Sequence, residues 1–159
     1  MKSGIVAFPF GAPSTIRSNR RIAEIAAQKS RELEAPIFTN CDVPLPADVE
    51  QQRSLGGLST TLRFAVDTVC WVRRNGIEEI WVVAAKPHLW RCVRDLSLVI
   101  KTIQTEIKVQ VCKEIEQYPN REWFCSDSTQ ERTSSRYNWQ KRELIFRLMP
   151  VNLYWRLAI

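Results

Sequence analysis

A three-layer α/β/α domain with a mostly parallel sheet is predicted by three features of this 159-residue chain. Apolar runs of strand length alternate with longer stretches whose apolar residues recur at helical spacing. Proline, glycine and asparagine punctuate the junctions. The alternation runs unbroken through residue 112, an order that calls for parallel strands joined by helical crossovers on both faces of one sheet.

Ile5-Val6-Ala7-Phe8 reads as a short buried strand, and Pro9, Gly11 and Pro13 stop it. Asn19 is placed to cap a helix through about Leu33, with Ile22, Ile25, Ala26 and Leu33 on one face. Pro36 to Asn40 is a second strand, and Asp42 to Ser59 reads as a long loop marked by Pro44, Pro46 and the Gly56-Gly57 pair. Ser59, Thr60 or Thr61 can cap the next helix, whose stripe is Leu62, Ala65, Val66, Val69 and Cys70. Asn75-Gly76 then end it as a left-handed C-terminal cap does.

A third strand covers Ile80 to Ala85, and the helix after it carries Leu89, Cys92, Val93, Leu96, Val99 and Ile103. Lys108 to Cys112 is a fourth strand. The whole chain, residues 1–159, is expected to form a single α/β domain, with a polar connector over 115–135 and a helical C-terminal segment over 137–159 that Pro150 breaks or kinks. That segment is dense in apolar residues. Leu148 and Trp155 are expected to be buried, by packing on the sheet or in a homo-oligomer contact, because large exposed apolar patches are rare on monomers.

The net charge of +6 and the pI near 9.3 favour anionic partners. The positive residues are spread from Arg17 to Arg156 and form no clustered stripe, which argues against nucleic acid. The five cysteines are odd in number and contain no Cys-x-x-Cys pair, so zinc-knuckle and thioredoxin chemistry are excluded and a reducing cytoplasm is expected. Cys70 and Cys92 are placed on apolar helical faces. The N-terminus lacks a signal peptide's apolar core, and no apolar run approaches the roughly 20 residues that cross a bilayer. No metal site is expected, since Asp42, Asp48 and Glu50 lack an Asp-x-Asp spacing.

The most informative stretch is Glu79 to Arg91, where the third strand ends abruptly in Lys86-Pro87-His88 and a helix starts, with Arg91 about one turn on. Ligands of open α/β sheets sit beyond the carboxyl ends of the strands. His88, the single histidine, therefore falls where a ligand is expected, between two cations that favour its neutral form. His88 is the candidate acid–base residue. Lys86 and Arg91 suit phosphate or carboxylate, helped by the nearby helix N-terminus. Ser14, Thr15, Asn40 and Thr60 are further candidate ligand contacts at the same sheet edge. A pocket is expected from the loops Phe8 to Thr15, Thr39 to Asp42, Lys86 to Arg91 and Glu114 to Glu116.

Over about residues 4 to 114 the chain resembles the YdcF/SanA/ElyC-like family of bacterial proteins, largely of unknown function. The resemblance rests on the strand-opening N-terminus, the helix from Thr60-Thr61-Leu62 to Gly76, and the strand Ile80 to Ala85 leading into His88-Leu89-Trp90-Arg91. It implies a Rossmann-like fold, a link in some members to cell-envelope metabolism, and binding of S-adenosylmethionine as the only cofactor it brings into view. Where that family has a Gly-rich turn, this chain has Phe8-Pro9-Phe10-Gly11.

The function expected is binding of a small anionic, nucleotide- or phosphate-containing molecule at the carboxyl edge of the sheet. If there is turnover, transfer or hydrolysis is the reaction class. The competing reading is a non-enzymatic interaction module whose basic surface and aromatic C-terminus bind protein, nucleic acid or a membrane surface.

Overall fold

The computed structural model describes residues 1–54 and 60–157, together with the backbone but not the side chain of Ala158. Five parallel strands form one sheet in the order β3-β2-β1-β4-β5: β1 Ser3–Ala7, β2 Ile37–Thr39, β3 Gln51–Arg53, β4 Glu79–Val83 and β5 Lys108–Val111. Three long helices connect them: α1 Arg17–Leu33, α2 Thr61–Asn75 and α3 Lys86–Ile103. The three-layer α/β/α class expected from the alternation is the architecture observed.

The pleat explains why the strands read as nearly continuous apolar runs. Ile5 and Ala7 of β1 pack with Ile22 and Ile25 of α1 on one face, while Val6 packs with Val69, Trp71 and Leu96 of α2 and α3 on the other. A sheet covered on both faces needs apolar residues at successive positions rather than at alternate ones. Gly4 allows the closest of these contacts, since a Cβ there would lie 2.7 Å from the Trp71 ring.

Within β4, Glu79 is a buried carboxylate, and every neighbour answers it. Lys108 of β5 sits 2.9 Å away, Ser3 Oγ of β1 donates at 3.2 Å and Trp81 Nε1 donates at 3.2 Å. Lys108 foremost holds the Glu79 carboxyl below its usual range.

The structure corrects the sequence reading in several places. The stretch read as a loop after Asp42 contains β3, a three-residue polar strand (Gln-Gln-Arg) on the sheet edge, where one exposed side removes the need for apolar residues. The Gly56-Gly57 pair lies outside the described residues. Asn19 does not cap α1: the helix starts at Arg17, and the Asn19 side chain holds the preceding loop instead. Thr60 does cap α2, accepting from Arg63 N at 3.1 Å, and Gly76 closes that helix in the left-handed conformation. Cys92 is buried as expected, whereas Cys70 is exposed on the outer side of α2.

Beyond β5 the connector makes two 3-10 turns, Lys113–Gln117 and Asn120–Trp123, which bury Ile115 and Trp123. Three helices follow: α4 Glu131–Ser134, α5 Arg136–Leu148 and α6 Val151–Ala158. Pro150 makes the break between the last two, as its missing N–H and fixed φ require. The C-terminal helices are tied to α3, and α6 also contacts α2. Trp139 Nε1 donates to Pro87 O at 3.1 Å, Arg94 Nη1 to Phe146 O at 3.1 Å, and the Tyr154 hydroxyl to the fully buried Asp95. Trp155 is half-buried, and Leu148 is 76% exposed, so the single chain does not bury it by packing, because it lies on the side of α5 turned away from α3. Among the described residues, no helix is long and apolar enough to cross a membrane.

Candidate functional site

The strand order changes direction at β1: the chain moves to β2 and β3 on one side and to β4 and β5 on the other. Crevices form beyond the carboxyl ends of strands at such switch points. A cavity of about 280 Å3 occupies this position, at the small end of ligand sites. Its floor is the turn Phe8 to Gly11 after β1, with Asn40 and Asp42 after β2 and His88 and Arg91 after β4. Thr60, Thr61 and Phe64 bring the N-terminus of α2 to its wall.

Local hydrogen bonds fix the floor. Asn19 Oδ1 accepts from Phe10 N at 2.9 Å while its amide donates to Gly11 O and Pro13 O. Ser18 Oγ donates to Phe10 O at 2.9 Å. Gly11 has a φ of +91°, and a Cβ there would meet the Ser128 and Thr133 hydroxyls at 2.7 Å. The glycine thus lets α4 close onto the floor and carries Arg132 to the cavity. Gly11→Ala is expected to cost about 1–3 kcal/mol, read by urea denaturation. A fully stable variant would remove this close approach as a determinant of the site.

The roof is the part that the sequence reading missed. Gln130, Arg132 and Thr133, then Trp139, Arg142 and Phe146, and finally Tyr154 and Leu157 line the far side. Three guanidinium groups, those of Arg91, Arg132 and Arg142, therefore face one small space. Asp42 is the only carboxylate among the described residues that line it. Burial, and then the charge of their arginine neighbours, presses Arg132 and Arg142 below the ordinary guanidinium range. Arginine nevertheless keeps its proton in proteins. Glu143 answers Arg91, but among the described residues Arg132 and Arg142 have no ion-pair partner, so the cavity carries an excess of positive charge.

Arg91 is 5% exposed and lies between two rings, 5.0 Å from the Trp139 centroid and 4.8 Å from that of Phe146. Its buried counter-charge, Glu143, approaches to 3.3 Å without hydrogen-bond geometry. Neither carboxylate oxygen of Glu143, nor Arg91 Nε, has a hydrogen-bond partner among the described residues. Burial raises the Glu143 carboxyl above its usual range, although Arg91 pulls it down.

His88 is enclosed by Phe10, Trp139 and Phe8. Arg91 Nη2 lies 3.4 Å from Nδ1, and Thr61 Oγ1 lies 3.4 Å from Nε2. A guanidinium can only donate, so Nδ1 accepts and the ring proton resides on Nε2. Burial first, and the three arginines next, hold His88 far below its ordinary pKa of 6.5, so the neutral form anticipated from its cationic neighbours is the one present. The unfolded chain binds a proton here in a pH window where the folded chain does not, so stability falls as pH drops through 6.5. Between about pH 7.5 and about pH 5.5 the wild type is expected to lose roughly 1.4 kcal/mol more than His88→Gln in chemical denaturation. Parallel pH profiles for the two proteins would refute a neutral, buried imidazole.

Of the other anticipated ligand residues, Arg91, Asn40 and Thr60 join His88 at the cavity. Asn40 is tied to Asp42 in a turn, its Oδ1 accepting from Asp42 N at 2.9 Å. Lys86 is not among the lining residues, because its ammonium pairs with Glu116. Glu114 pairs with Lys29 at 3.0 Å, so the loop after β5 contributes nothing to the lining. Ser14 is half-buried away from the cavity, and Thr15 lines a separate shallow hollow with Arg17, Arg20 and Cys125. Cys41 is exposed and outside the lining, and β1 separates its strand from that of His88. No metal-holding cluster of His, Cys, Asp or Glu occurs among the described residues.

Fold and site together define a parallel α/β domain with an arginine-lined cavity at its switch point. No family model, curated protein or solved structure matches the chain.

Proposed function

We propose that this protein binds a small anionic molecule, phosphate-containing or nucleotide-like, in the cavity at the carboxyl edge of its sheet. The observation that carries the reading is the convergence of Arg91, Arg132 and Arg142 on one small space with Asp42 as the only lining carboxylate among the described residues. A phosphate supplies the acceptors that planar, multidentate guanidinium groups need. The N-terminus of α2 adds a favourable dipole from the Thr60 side. Phe10, Phe64 and Trp139 offer apolar and aromatic surface for the rest of the ligand. Arginines take the part that a glycine-rich turn plays in other phosphate sites.

On the resemblance of its sequence motifs alone, the Thr60 to Gly76 helix and the His88 to Arg91 helix start, we also propose kinship with the YdcF-like family and its link to cell-envelope metabolism. If the ligand is turned over, transfer or hydrolysis is the reaction class. The neutral His88 then donates a hydrogen bond from Nε2–H to a ligand oxygen, since Arg91 occupies Nδ1, and the transferred proton comes from water or the ligand itself. The test is a thermal-shift screen over inorganic phosphate, pyrophosphate, nucleotides, sugar phosphates and S-adenosylmethionine. A true ligand at a hundred times its Kd adds about 2.7 kcal/mol of stability. Absence of stabilisation by any phosphorylated compound, with ordinary response to neutral ones, would overturn the proposal.

A further inference from the structure

The outer face of the C-terminal helices has a composition that the cavity does not use. On α5, Tyr137, Leu144, Ile145 and Leu148 recur at positions i, i+7, i+8 and i+11, one stripe of the helix, and they are between 57% and 76% exposed. The opposite stripe, Trp139, Glu143 and Phe146, is turned to the body of the protein. Past Pro150, α6 adds Val151, Leu153 and Leu157, which are also exposed. These two helices therefore present aliphatic side chains outward while being anchored from the other side through Tyr154, Trp139 and Arg94.

Charge identifies the partner. Between residues 136 and 158 the exposed ionised side chains are Arg136, Lys141, Arg147 and Arg156, and the single acidic residue, Glu143, is buried against Arg91. On α5, Lys141 stands in the apolar stripe beside Tyr137, while Arg136 and Arg147 flank it, Arg147 over the Trp90 ring, so a second copy of the same face would bring like charges together. A nucleic acid would answer the charge but not six outward aliphatic side chains, since its bases reward aromatic stacking. An anionic lipid surface answers both, with acyl chains for the leucines and headgroups for the arginines and lysine.

We infer that the outer face of α5 and α6 docks this protein on an anionic bilayer surface. The helices lie in the plane of the headgroups and do not cross the membrane. The cavity opens beside this face, because Leu157 both lines the cavity and is exposed with the apolar residues of the patch.

The test is flotation of the full chain with vesicles of phosphatidylcholine alone and of phosphatidylcholine with phosphatidylglycerol. The expected result is binding to the anionic vesicles only, weakening as salt is raised. Leu144→Ser with Leu148→Ser, and separately Lys141→Glu with Arg156→Glu, each lower that binding by roughly tenfold or more. All four side chains are exposed, so circular dichroism and the cavity's ligand response stay as in the wild type. Three outcomes overturn the inference. They are failure of the wild type to float with anionic vesicles, equal binding to both vesicle types with the serine variant unchanged, and a dimer in sedimentation that the serine variant dissolves.

Discussion

Arg91→Ala is expected to destabilise the protein by about 3–5 kcal/mol at neutral pH, the cost of leaving one member of a buried ion pair without the other. Arg91 is 5% exposed, and Glu143, its counter-charge, is as deeply buried. The loss should shrink as the pH is lowered. Burial already raises the Glu143 carboxyl above its unfolded value, and without Arg91 it rises further. The folded variant then holds a proton that the unfolded chain has released, so its stability falls as pH rises through the unfolded value and recovers on acidification. Arg91→Ala combined with Glu143→Gln should recover most of the loss. Urea denaturation at neutral and mildly acidic pH reads each of these effects. A double variant no more stable than the single one would show that the pair is not what the alanine removes. Arg91 is thus a cavity residue and the tie that holds α5 over the cavity. Its variants alone cannot separate binding from folding.

Arg132→Ala with Arg142→Ala makes that separation. Both side chains are half-buried, both line the cavity, and each is pressed by burial and by positive neighbours. Loss of two charge-assisted contacts of about 1.5–3 kcal/mol each should weaken a bound phosphate compound more than a hundredfold. The same substitutions relieve like-charge repulsion, so the unliganded variant should unfold at the wild-type temperature or above it. Residues retained for binding at the expense of stability behave in this way. Calorimetric titration with whichever phosphate compound stabilises the wild type, beside thermal unfolding without it, decides the matter. Undiminished affinity would remove the arginine cluster from the site.

The sequence revealed the scaffold better than the lid. β1, β2 and β4 are legible as apolar runs closed by Pro, Gly or a change of period, β5 from Val109 and Val111 alternating with polar residues, and α2 from Thr60 to Gly76. β3 is not, because three polar residues on an edge carry no burial signal. His88 and Arg91 follow from one local rule, that a helix starting after a strand points its first turn at the sheet's open end. Lys86 obeys the same rule but is drawn aside by Glu116, a partner 30 residues on that local reading does not reveal. Arg132 and Arg142 reach the cavity only because α4 closes onto the turn at Gly11 and α5 lies against α3. The available clue was the scarcity of acidic residues in a C-terminal segment rich in arginine.

Glu79 carries a consequence for how the sheet assembles. Its register partners are Ser3 on β1 and Lys108 on β5, the two residues that also bond its carboxylate. Apolar runs buried on both faces tolerate sliding, since a shift by one residue exchanges one aliphatic side chain for another. A carboxylate does not tolerate it: a slip of β4 by one position carries Glu79 past Lys108 and turns it to the opposite face, leaving a charge in the core with no counter-ion. In a sheet whose hydrophobic pattern is nearly uniform, one acidic side chain at the start of the central run acts as the alignment mark for three strands at once.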